Sequence, residues 1–243
     1  MSSPYFSLTS ADIDFLAQAA TPELKDRHSL KQLLETDSDF RAAFLEHEGV
    51  ARLVTREKDV FVRISPHLYF EILLRLARRD LEGVSYTLER AGMDKVAVFD
   101  ADRVVEFLSH DNILFYLADL LASFTRVESY TLVYRRRSGI WRKFRFSDLD
   151  LASLLGLCEQ TDEEQRLGFY KRIADICLFV LGVFPEFVEL SHRYPLSGEM
   201  RPQFAGHLRW GPADYQEQGK KFYRLAAEHP RARLYELSET FQT

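Results

Sequence analysis

Apolar residues recur at a spacing near 3.6 along most of this 243-residue chain, which commits it to packing amphipathic helices. The period breaks most clearly at 130–146, YTLVYRRRSGIWRKFRF. There apolar and polar positions alternate around Ser138-Gly139, the pattern of two antiparallel strands joined by a tight turn. The expected fold class is therefore mostly α: a multi-helix bundle with a small antiparallel β-sheet or hairpin in its middle third. With 46% hydrophobic and 28% charged residues, a chain of this length can bury a sizeable core without a disulfide or metal.

Start signals divide the helical pattern into elements. Between residues 10 and 56, helices are expected from Ser10, from Thr21-Pro22-Glu23, and from the Asp37–Asp39 region, the last carrying Phe40, Phe44, Leu45 and Leu53. The segment 59–64, DVFVRI, alternates with period two and predicts a strand, after which Ser65-Pro66 opens an apolar helix ending near Gly83. A short strand at 96–99, helices at 102–110 and 112–124, and the hairpin follow. Beyond it, helices are expected at 147–160, 162–184, 186–192, 213–228 and 231–241, with Ser147 and Asp162 as caps. The helix 162–184 is apolar on so many sides, through Tyr170, Ile173, Ile176, Cys177, Val180, Leu181 and Phe184, that it is expected at the bundle centre. Three segments result, 1–58, 59–147 and 148–243, as separate layers or as one compact domain.

From 66 to 146 the element order, helix, strand, helix, helix, strand, turn, strand, resembles that of a winged-helix domain. The resemblance implies a basic hairpin that touches nucleic-acid backbone. The helix before the hairpin, NILFYLADLLASF, departs from the pattern because it offers no Lys or Arg to base edges.

The hairpin is the leading candidate for a site. Arg135, Arg136, Arg137, Arg142, Lys143 and Arg145 give it six positive charges and no negative one, with Trp141 beside the turn. Such a patch can neutralise phosphates while the indole stacks on a base. It can equally meet an acidic protein surface, or the chain's own acidic segment, where Asp148, Asp150, Glu159, Asp162, Glu163 and Glu164 carry six negative charges. Arginine and lysine on an edge strand also prevent sheet-to-sheet aggregation. The net charge of −5 includes the hairpin's +6, so the remainder carries −11, which disfavours a polyanion.

Asp175 is the second candidate. It stands among Ile173, Ala174, Ile176 and Cys177, so it is either a buried ion-pair partner or a tuned functional carboxylate, with Lys171 and Arg172 within helical reach. Glu186, Glu189 and His192 share a helical face, but the second Glu-x-x-His of a di-iron site is missing, and no metal is expected. Cys158 and Cys177 sit in apolar helical runs and read as reduced, buried thiols. No phosphate loop, His-Glu-x-x-His or Gly-x-Ser-x-Gly occurs, and no cofactor is expected.

The segments IADICLFVLGVFPE, DYQEQGKKFYRLA and LYELSETF resemble a pattern in a group of uncharacterised bacterial helical proteins, over roughly the last third of the chain. The resemblance implies a bacterial cytosolic origin and no activity. The N-terminus lacks a basic region and an apolar core, and the longest uncharged apolar stretch, 176–185, has ten residues, so neither a secretory signal nor a membrane span is expected. The expected function is a non-enzymatic cytoplasmic regulatory or protein-interaction module. The alternatives are a nucleic-acid-binding regulator using the hairpin, and a helical enzyme whose site forms only in three dimensions.

Overall fold

Local capping starts most helices in the computed structural model, which describes residues 7–84, 86–91, 94–126, 129–135, 141–186, 188 and 210–232. The chain divides into two units, Ser2–Thr125 and Arg126–Thr243. Among the described residues both are predominantly helical, and each contains one two-stranded antiparallel hairpin.

In the N-terminal unit, α1 (Ser10–Ala20) opens with a capping box: Thr9 Oγ1 accepts from the Asp12 N–H at 3.1 Å, and Asp12 Oδ2 accepts from the Thr9 N–H at 2.9 Å. The other Asp12 oxygen accepts from the Ser65 N–H at 2.7 Å, tying the start of α1 to the start of α6 (Pro66–Leu81). Between them lie α2 (Arg27–Thr36), α3 (Ser38–Leu45), α4 (Glu48–Arg56) and the single turn α5 (Val60–Arg63). Leu16, Leu34, Leu45, Val50, Leu68 and Ile72 close one core, so residues before 58 and after 59 share it. The hairpin β1 (Thr87–Ala91) and β2 (Asp94–Val98) follows, then α7 (Ala101–Ser109) and α8 (Asp111–Ser123).

Three expectations in this unit need correction. Asp26, not Thr21, caps α2, because its carboxylate accepts from both the N–H and the hydroxyl of Ser29; residues 21–24 form a turn. The third helix is two, broken at Glu46-His47, where His47 caps α4. The 59–64 strand is the helical turn α5. Val60 and Ile64 are buried at i and i+4 while Val62 is 87% exposed, a pattern an alternating strand cannot give. The expected strand at 96–99 is present as β2, paired with β1, a strand that the sequence pattern did not announce.

The C-terminal unit begins with β3 (Ser129–Arg135) and β4 (Trp141–Ser147), followed by α9 (Leu151–Gln160), a 3-10 turn (Glu163–Gln165), α10 (Leu167–Val183) and α11 (Pro212–Glu228). The cap of α9 is Asp150, whose carboxylate accepts from the Ser153 N–H and hydroxyl, whereas Ser147 ends β4. The 3-10 turn delays the next helix from Asp162 to Leu167. Tyr170, Ile173, Ile176, Cys177 and Val180 are buried as expected, but Leu178, Val183 and Phe184 are exposed, so α10 is one-sided. Its inner face meets α11 closely: a Cβ on Gly219 would stand 3.1 Å from Cys177 Cβ. The expected helix at 186–192 lies mostly outside the described residues, as does 233–241.

Candidate interaction site

Tyr134 pairs with Arg142, Val133 with Lys143, Arg135 with Trp141 and Thr131 with Arg145 across the β3–β4 ladder. Residues directly opposite in an antiparallel pair share a face, and faces alternate along each strand. Arg135, Trp141, Lys143 and Arg145 therefore stand on one face, together with Thr131 and Val133. Tyr130, Leu132, Tyr134, Phe144 and Phe146 stand on the other, where Arg142 is the one basic residue of the two strands. Arg136 and Arg137 lie outside the described residues.

Half of the acidic segment after the hairpin has identified partners. Asp148 Oδ2 accepts from Arg172 Nη2 at 2.7 Å, and its carbonyl accepts from Arg172 Nε at 3.2 Å. Asp150 caps α9. Glu163 accepts from Arg166 Nη1 at 2.7 Å and from the Tyr170 hydroxyl at 2.9 Å.

Asp175 is 3% exposed and is gripped from two helices. Lys171 Nζ donates to Oδ2 at 2.8 Å from one turn earlier, and the Tyr223 hydroxyl of α11 donates to Oδ1 at 2.9 Å. The expected ion pair is thus formed by Lys171, while Arg172 turns to Asp148. Tyr223, 48 residues away, left no signal in the sequence. Both cysteines are free and buried, and burial alone pushes the Cys177 thiol up to about 12, which keeps it out of nucleophilic chemistry. Among the described residues no group of His, Cys, Asp and Glu could hold a metal ion; Glu189 and His192 are outside them.

The N-terminal unit holds a polar centre that sequence reasoning missed. Glu71 is fully buried and takes a bidentate pair from Arg41, Nε at 2.9 Å and Nη2 at 2.5 Å, plus Arg75 Nε at 3.2 Å. Arg75 also reaches Asp111 at 3.3 Å, so two cations meet two carboxylates. Both guanidinium groups lie over the Phe115 ring, 5.4 and 5.6 Å from its centroid, and His67 stacks on it at 6.4 Å. The available signal was Glu71 and Arg75 at i, i+4 in an otherwise apolar helix face. Nearby in sequence, a groove of about 560 Å³ is lined by Leu24, Leu30, Leu33, Phe40 and Phe44 among others. Asp26 and Ser29 on its wall are bonded to each other, leaving it an apolar surface.

No helix of the described residues is long and apolar enough to cross a membrane. Compared with known proteins, the chain matches no family model, no curated protein and no solved structure.

Proposed function

We propose that the protein is a non-enzymatic cytoplasmic interaction module whose basic hairpin contacts an acidic surface on a partner protein. The observation that carries this reading is the strand register, which collects Arg135, Lys143 and Arg145 with Trp141 on one face of β3–β4. Clustered cations beside an aromatic residue suit an acidic protein patch, to which they lend orientation and a fast encounter. Support comes from Asp150 and Glu163, which are engaged with Ser153 and with Arg166 and Tyr170 in the segment that follows the hairpin. Neutralisation of the hairpin by the chain's own acidic segment is weakened to that extent. Asp175, bonded to Lys171 and Tyr223, fits a structural carboxylate better than a catalytic one.

A fluorescein-labelled deca-glutamate peptide provides the test. Wild type is expected to bind it with an affinity that falls as salt rises, and an Arg135/Arg136/Arg137→Ala triple variant to bind at least about tenfold more weakly. Equal binding by both proteins overturns the reading.

A further inference from the structure

The hairpin of the N-terminal unit exposes an apolar face that the fold does not use. Tyr86 is 48% exposed, Leu88 61% and Phe99 76%. The register pairs Leu88 with Ala97, itself exposed, and Thr87 with Val98, both half-buried on the other face. The Tyr86 and Phe99 rings pack on each other in the open, 5.7 Å apart at 46°. Phe99 leads into α7, where Val104 and Phe107 are exposed one turn apart. Large exposed apolar groups gathered on one face mark a contact surface more often than chance decoration.

Two further observations say what fits there. Among the described residues β1 and β2 have only each other as strand neighbours, so a further strand can add at an edge and extend the apolar face. The flanks are acidic: Asp80, Glu82, Asp102 and Glu106 are exposed against Arg79 and Arg103, and the half-buried Arg78 is shared between Glu82 and Glu46.

We infer that the β1–β2 hairpin docks an extended segment of another protein in which apolar residues alternate with lysine or arginine. The incoming strand pairs its backbone with a hairpin edge, lays its apolar side chains beside Leu88 and Phe99, and sets its cations toward the acidic flanks. This surface is independent of the basic hairpin.

The test uses the full chain and three labelled octapeptides, KVKVKVKV, EVEVEVEV and KVKPKVKV, read by fluorescence anisotropy. The first is expected to bind, the second not at all, and the third about tenfold more weakly, because proline removes a ladder donor. A Leu88→Asp/Phe99→Asp variant is expected to lose at least about tenfold in affinity for KVKVKVKV. That variant adds two negative charges, so attraction by charge alone would instead tighten binding. Circular dichroism melts that match wild type establish that both substitutions act at the surface, and Phe99→Ser alone gives a milder form if the double variant unfolds. Binding of EVEVEVEV, or undiminished binding of KVKVKVKV by folded variants, overturns the inference. So does concentration-dependent dimerisation of wild type that the variant abolishes, since the occupant is then a second copy.

Discussion

Asp175 illustrates how a buried charge is tolerated: one oxygen receives Lys171 and the other Tyr223, so neither is left facing apolar neighbours. In Asp175→Asn the carbonyl can still accept from Tyr223, but the pairing with Lys171 is lost. Because Lys171 is half-exposed, the expected cost is modest, about 1–2 kcal/mol, read as a lower urea midpoint. A variant of unchanged stability that loses binding of a partner would instead make Asp175 functional. Burial also sets an alkaline limit. Cys177 rises from 9.0 to about 12 and Tyr215 from 10.0 to about 12. Both stay neutral in the folded chain to higher pH than in the unfolded one, so their contribution is whole below about pH 9 and is lost between about pH 9 and 12. Urea midpoints should fall more between pH 8 and 11 for wild type than for Cys177→Ala/Tyr215→Phe; parallel falls would contradict this. At this scale the sequence reveals caps and misses ties. Ser65-Pro66 announces its helix because the signal is local, but the Asp12 bond to the Ser65 N–H spans 53 residues.

Helix faces decide which substitutions matter at the scale of elements. Ile176 is fully buried, and Ile176→Ala should cost about 2–5 kcal/mol through lost burial and a residual cavity. Leu178, two positions on and exposed, should cost under about 1 kcal/mol when changed to Ala. Equal shifts in the two urea melts would mean that α10 is enclosed on all sides. Gly49 is needed for packing: a Cβ there would stand 2.1 Å from the Ala19 carbonyl oxygen, so α1 and α4 touch through backbone. Gly49→Ala should therefore cost about 1–3 kcal/mol or more, seen as a lowered Tm. The misreading of 59–64 as a strand has a physical origin. Six residues are too few to separate a period of 2 from 3.6, and the burial of Val60 and Ile64 depends on a core formed by distant segments. The β3–β4 hairpin was legible because alternation, turn residues and aromatic content agree over a longer run.

For the whole molecule, the predominance of helix was written in its periodicity, whereas the division at Thr125/Arg126 was not, since no Ser- or Gly-rich linker marks it. The β1–β2 pairing was equally hidden. Of the candidate site, the charges and Trp141 were legible, but not the segregation of Arg135, Lys143 and Arg145 onto one face, which requires the register. On the proposed function, this face meets a protein and not nucleic acid. The most direct test is a fluorescence titration with duplex DNA and single-stranded RNA at several salt concentrations, with wild type beside the Arg135/Arg136/Arg137→Ala variant. Negligible binding is expected even at low salt, because a charge of −11 outside the hairpin opposes a polyanion. Binding whose logarithm falls steeply with log salt, and which the triple variant loses, would contradict the account.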